Sequence, residues 1–138
     1  MRITIPKKYR EKLSKNLVIT RGIDWCLFVY DKKIWKQVKN ELEEIVNKTT
    51  SKDAIDFIRL FMRGAAKVKT GSNDRIIIPE FLSDYAYLKK DIIFIELGKR
   101  IEIWAKEKFE KYQLEQPENK GARERWVLRN ESIGDQAL

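Results

Sequence analysis

Polar and apolar positions follow one pattern twice along this chain. Arg2-Ile3-Thr4-Ile5-Pro6 alternates before a proline, and Arg75-Ile76-Ile77-Ile78-Pro79 repeats the motif 73 residues later. Isoleucines spaced by two read as a short strand, and the proline, which has no N–H for a ladder, ends it and is expected to open a helical turn as its first residue. An amphipathic stretch follows each proline, Lys7 to Leu13 and Glu80 to Leu88, and then an apolar run, Leu17-Val18-Ile19-Thr20 and Ile92-Ile93-Phe94-Ile95. A second β-rich run closes each unit: Trp25 to Tyr30, whose Leu27-Phe28-Val29-Tyr30 matches Ile101-Glu102-Ile103-Trp104. The breaks Arg21-Gly22-Ile23-Asp24 and Gly98-Lys99-Arg100 are turn-like, so each pair of runs reads as a hairpin. The chain is therefore an internal duplication of one small unit.

Between the copies the period changes. Ile34, Trp35, Val38 and Leu42 fall at helical spacing within Lys33 to Leu42, and Ile55, Ile58, Leu60, Phe61 and Met62 predict a second helix, with Asn47-Lys48-Thr49-Thr50-Ser51 as the loop between them. Beyond Tyr112 the chain turns polar, which predicts a tail or a weak helix. The expected fold class is α+β. Its parts are a first repeat with its C-terminal helix over 1–46, a linker and inter-repeat helix over 47–67, a second repeat over 68–112 and a polar tail over 113–138. With 138 residues and 43% hydrophobic content there is one domain's worth of chain, or two half-domains sharing a core, and no room for a separate catalytic domain.

Charge is unevenly placed. Up to Lys39 there are eleven Lys and Arg against three acids, a surplus equal to the +8 of the whole chain, so everything after Lys39 nets to zero. A one-sided positive surface suits phosphates or another polyanion; alternatively the lysines only keep a small protein soluble. Cys26 is the single cysteine, so no intrachain disulfide forms, and its apolar setting predicts a packed core residue. The first residues lack the apolar stretch of a signal peptide, and the longest apolar runs fall far short of the roughly 20 residues that span a bilayer, so a cytoplasmic protein without a membrane partner is expected. Catalysis finds little here: there is no histidine, no phosphate-cradling or dinucleotide glycine pattern, and Glu43-Glu44 reads as a solvated helix face. No enzyme activity, cofactor or metal is expected.

Taken together, the two Arg-Ile-x-Ile-Pro motifs, Thr20-Arg21-Gly22-Ile23-Asp24-Trp25-Cys26-Leu27, Phe61-Met62-Arg63-Gly64-Ala65-Ala66 and Arg100-Ile101-Glu102-Ile103-Trp104 resemble the MraZ family over residues 2 to 112. The resemblance implies two tandem AbrB-like β half-barrel repeats forming one pseudo-symmetric β domain of swapped-hairpin type, with helices packed around it. It further implies a ring-shaped homo-oligomer, nucleoid-associated, that binds repeated promoter sites in double-stranded DNA and regulates the division and cell-wall gene cluster. The family pattern opens each copy with a strand and an Asp-x-x-Gly-Arg type of loop. In copy one that strand is expected to be missing, leaving an edge uncovered, and copy two has Gly71-Ser72-Asn73-Asp74-Arg75 at the loop.

Charge chemistry points to the same partner. A cationic β-ribbon can enter the major groove, where Arg reads guanine bidentately while Lys neutralises phosphates. The candidate DNA-binding residues are Arg2 and Arg75 at matched loop positions, with Lys7, Lys8, Arg10 and Arg21 beside the first copy. Competing readings stand next to each: an intersubunit salt bridge for Arg75, a solvated helix start for Lys7 and Lys8, and a pairing of Arg21 with Asp24 across the turn. Trp25, Tyr30, Trp35, Tyr85, Trp104 and Phe109 are expected to pack in the core or between subunits rather than to stack on bases. The small Gly64-Ala65-Ala66 suggests a close approach of helices or subunits. Beyond a sequence-specific regulator, two function classes remain: a non-specific nucleic-acid-coating protein and an antitoxin-like protein-interaction module of the same fold.

Overall fold

In the computed structural model, which describes residues 1–115, the two Ile-Pro segments pair with each other. β1 (Arg2–Thr4) and β5 (Arg75–Ile77) form an antiparallel ribbon in which Ile3 lies opposite Ile76, the same position of the duplicated motif. The ribbon is therefore pseudo-symmetric about that pair. Arg2 faces Ile77 while Thr4 faces Arg75, and the flanking bonds match too: the Ile5 amide donates to Asp74 O at 2.8 Å and the Ile78 amide to Met1 O at 2.7 Å.

After each ribbon strand a proline turns the chain. A 3-10 turn, Lys7–Tyr9, and the helix α3 (Glu80–Tyr85) follow Pro6 and Pro79, which stand as N-caps with ψ of 144° and 143° rather than as first helical residues. Their extended ψ still belongs to the strand, so the helical turns begin one residue later than the proline signal predicts. Tyr9 and Leu82, at equivalent positions, anchor both turns in the core.

A second sheet holds five strands, β2 (Asn16–Arg21), β3 (Leu27–Asp31), β4 (Ala66–Lys69), β6 (Ile92–Leu97) and β7 (Arg100–Ala105), in the order β4-β2-β3-β7-β6. All neighbours are antiparallel. The two hairpins meet at β3 and β7, where Leu27 pairs with Ile103 and Val29 with Ile101. On one face Leu17, Ile19, Leu27, Val29, Ile101 and Ile103 pack beneath the ribbon's Ile3 and Ile76. On the other, Phe28, Tyr30 and Trp104 pack with Phe61 and with side chains of three helices. Strands covered on both faces need no polar positions, which is why β3 is an unbroken apolar run closed by Asp31, and each buried Leu or Ile contributes about 1.5–3 kcal/mol.

Those helices are α1 (Lys32–Lys48), α2 (Lys52–Arg63) and α4 (Lys106–Glu115). Asp31 caps α1, accepting from the Lys33 amide at 3.1 Å and the Ser14 amide at 2.7 Å. Burial on its own raises the pKa of this carboxyl, but the bonds from Ser14 and the Lys33 amide outweigh it and hold the group below its ordinary range. The helix runs past Leu42 to Lys48, so Asn47 and Lys48 belong to it and not to the expected loop; Thr49 ends it through a bond from its amide to Ile45 O, 2.8 Å. Ser51 caps α2 by accepting from the Ala54 amide. Residues 113–115 close α4, and the remainder of the expected polar tail lies outside the described residues.

β4 is a strand the apolar pattern did not announce. It stands just ahead of the second Ile-Pro motif but covers β2 of the first copy, with Leu17 opposite Val68. β2, the strand expected to be left bare in the first copy, is thus covered, and among the described strands the outer edges of this sheet are those of β4 and β6.

Candidate nucleic-acid interface

Ribbon geometry sorts the side chains of the motif. Ile3 and Ile76 point into the core, which leaves Arg2, Thr4, Arg75 and Ile77 on the outer face, with the two arginines diagonal to one another across the strands. β4 alternates in the same way: Ala66 and Val68 are half-buried, whereas Lys67 and Lys69 are exposed. Between ribbon and β4 runs an open groove of about 500 Å³ lined by Arg2, Lys67, Val68, Lys69, Arg75 and Ile77, with Gly71, Ser72 and Pro79 at its border and no acid among these residues. Four cations on one concave surface repel one another unless an anion lies between them.

The loop that presents Arg75 is tight. Gly71 donates its amide to Arg75 O at 2.8 Å, and Asn73 and Asp74 take left-handed φ of 57° and 55°, which Asn and Asp tolerate better than most side chains. Arg10 reaches across from the first copy and pairs with Asp74 at 2.6 Å. That bridge sets the loop and cancels the nearest negative charge, so Arg10 supports the groove without lining it. A partly exposed pair of this kind contributes at most about 1 kcal/mol to stability.

The other predicted residues lie elsewhere. Lys7 and Lys8 are exposed on the 3-10 turn just after the ribbon, outside the groove, with Lys8 Nζ 5.1 Å from the Tyr9 ring. Arg21 is also outside it. This arginine sits at the end of β2, its Cγ closely approaching Gly64, where an added Cβ would come within 3.1 Å, and its guanidinium carbon lies 5.6 Å from the Tyr85 ring and 5.9 Å from Phe81. The pairing of Arg21 with Asp24 does not form. Gly64 is thus small to admit Arg21. Lys67 and Lys69 are what sequence reasoning missed; the alternation Ala-Lys-Val-Lys was the available signal, but four residues after a helix carry it weakly.

Elsewhere the titratable groups serve packing. Cys26 is fully buried, and burial, with a smaller contribution from Glu102, pushes its pKa up to about 12. Glu102, also buried, accepts from Arg100 at 3.2 Å and from Trp104 Nε1 at 3.1 Å, while Arg100 lies 4.0 Å from the centre of the Phe28 ring. Among the described residues no three His, Cys, Asp or Glu side chains gather as a metal site would need, and no helix is long and apolar enough to cross a membrane. Of the aromatic residues, Tyr30 and Trp104 are in the core as expected; Trp25 is not, being half exposed at the β2–β3 turn.

The class these features define is an α+β protein with two sheets and four helices, in which a duplicated hairpin unit carries a cationic groove. The chain belongs to the MraZ family: the family model described as "MraZ protein, putative antitoxin-like" matches residues 1–58 and 61–130. It is 42% identical over 111 residues to a protein of Caldanaerobacter subterraneus subsp. tengcongensis named transcriptional regulator MraZ, covering 80% of this chain and 76% of that one. Proteins of the same name from Clostridium tetani and Carboxydothermus hydrogenoformans are 40% and 36% identical over 111 residues, covering 80% of this chain in each case and 77% and 76% of theirs.

Proposed function

We propose that this protein is a sequence-specific DNA-binding transcriptional regulator, built from two tandem AbrB-like repeats, that binds repeated promoter sites of the division and cell-wall gene cluster as a ring-shaped homo-oligomer. The observation that carries the reading is the diagonal placement of Arg2 and Arg75 on one face of a two-stranded ribbon, beside Lys67 and Lys69. A ribbon of this width fits the major groove, about 12 Å wide, where arginine can donate two hydrogen bonds to one guanine. The lysines flanking it meet phosphates, which fixes register without reading sequence. One groove touches few phosphates. In a ring the later contacts become intramolecular, and avidity rises by roughly 100-fold or more where the spacing of sites matches. The proposed place of action is the cytoplasm, at the nucleoid; the promoter target comes from the family resemblance alone, while the relatives' name, transcriptional regulator, supports regulation of transcription.

Gel shifts on a repeated promoter fragment and on random duplex, at two salt concentrations, test this. Arg2→Ala and Arg75→Ala should each cost about 1–3 kcal/mol on the promoter fragment and much less on random duplex, as removal of a base-edge hydrogen bond does. Lys7→Ala and Lys8→Ala should weaken both DNAs alike, because those residues lie outside the groove and are assigned to phosphate, which carries no sequence information. Promoter binding that disappears under excess random duplex would make this a coating protein. No shift on any DNA would leave the antitoxin-like interaction module.

A further inference from the structure

One residue of the groove does not match the chemistry of the rest. β5 alternates between the two faces of the ribbon, so Ile76 and the following Ile78 are buried while Ile77, 60% exposed, projects from the outer face. Strand positions turned to water are ordinarily polar. Ile77 belongs to neither core cluster and lines the groove together with Arg2, Arg75, Lys67 and Lys69. The four cations need no apolar neighbour to hold phosphate, and a branched hydrocarbon gains nothing from an anion. Ile77 therefore calls for a different partner.

The register of the ribbon says where that partner lies. Ile77 stands opposite Arg2, and Thr4 opposite Arg75. The backbone bonds from the Ile5 amide to Asp74 O and from the Ile78 amide to Met1 O fall on the pairs flanking these. Arg2–Ile77 and Thr4–Arg75 are thus pairs of the closer, non-hydrogen-bonded kind, with Cβ atoms roughly 5 Å apart. Successive base pairs are about 3.4 Å apart, so a side chain beside Arg2 reaches the base pair next to the one Arg2 reads, or one further. Base edges in the major groove are hydrogen-bond donors and acceptors with one apolar exception, the 5-methyl group of thymine. The duplication puts Thr4 at the position equivalent to Ile77, 73 residues earlier. Its hydroxyl can donate to or accept from any base. The two ends of the ribbon are alike in their arginine and unlike in the residue beside the other end's arginine.

We propose that Ile77 is a specificity-determining residue, packing on the 5-methyl of a thymine within two base pairs of the guanine read by Arg2, and that Thr4 leaves the matching position beside Arg75 free of this requirement. The contact rests on the DNA reading proposed above and adds a base to it. It also removes an ambiguity. A ribbon with pseudo-twofold symmetry about Ile3 and Ile76, carrying one arginine at each end, would dock on DNA equally well in either direction. A methyl contact at one end only favours one direction, so the recognised element is symmetric in its guanines and asymmetric in its thymine.

Gel shifts on the promoter fragment with each thymine in turn replaced by uracil, which lacks only the 5-methyl, test the contact, with thermal melts showing that each variant is folded. Replacement at one thymine of the element should weaken binding about fourfold, as loss of one buried methyl-sized group does. Ile77→Ala should bind the unmodified fragment more weakly than the native chain and treat thymine and uracil alike at that position. Thr4→Ile should make a second thymine, at the Arg75 end, sensitive to uracil. Uracil tolerated at every position, or a loss at uracil that Ile77→Ala retains in full, would overturn the methyl contact and leave promoter binding standing. A Thr4→Ile chain with no new sensitive thymine would overturn the asymmetry assigned to Thr4. No preference for the promoter fragment over random duplex would overturn the proposed function and this contact together.

Discussion

The thiol of Cys26 donates to Ile23 O at 3.0 Å from a fully buried position between the β2–β3 turn and Phe28. Burial pushes its pKa up to about 12, so almost no thiolate exists at neutral or mildly alkaline pH, and the thiolate is the reactive form. A thiol reagent at pH 8 should therefore leave the native protein unmodified and label it at once in denaturant; rapid labelling of the native chain would mean that the turn opens. An inert, core-packed cysteine was legible from the apolar residues around position 26. What could not be read at this scale was partnership. Arg10 and Arg21 look alike in sequence as members of one basic segment, yet Asp74, 64 residues away, occupies the first, and Tyr85, equally distant from the second, stacks beneath it.

At the scale of elements, the β2–β3 hairpin shows how a turn can be right in kind and wrong in detail. Arg21 to Asp24 marks the break, but the strand resumes only at Leu27, because Asp24 and Trp25 both take left-handed backbone inside a loop closed by the bond from the Gly22 amide to Cys26 O, 2.7 Å. Gly22 itself has no room for a side chain: a Cβ there would stand 2.6 Å from Phe28 Cδ1 and 2.8 Å from Cys26 Sγ. Gly22→Ala should accordingly destabilise the fold by about 1–3 kcal/mol through overpacking, read as a lowered denaturation midpoint with an unchanged slope. An unchanged midpoint would mean that the Phe28 ring yields without cost. The duplicated strands and hairpins were legible because alternation, proline and glycine punctuate them locally. β4 was not, since Ala66 to Lys69 become a strand only through pairing with β2, some fifty residues earlier in the chain.

Over the whole molecule, net charge and charge placement part company. The sequence concentrates a surplus of +8 before Asn40, and a composition argument assigns DNA contact to that segment. Several of those cations, Lys32, Lys36 and Lys39 among them, lie on α1, which packs on the face of the sheet away from the ribbon. The groove instead combines Arg2 with Arg75, Lys67 and Lys69, three of its four cations coming from the stretch whose net charge is zero. Counterion release depends on the cations that touch phosphate and not on the total carried, which separates the two accounts. Lys67→Ala with Lys69→Ala should flatten the plot of log K against log salt by about 0.9 for each phosphate no longer neutralised, while Lys32→Ala, Lys36→Ala and Lys39→Ala together, removing more charge, should leave the slope nearly unchanged. Both variants should slow association at low salt, since steering responds to the field of the whole protein. A slope that fell with the α1 lysines and held without Lys67 and Lys69 would put DNA on the helical face and remove the ribbon from the interface.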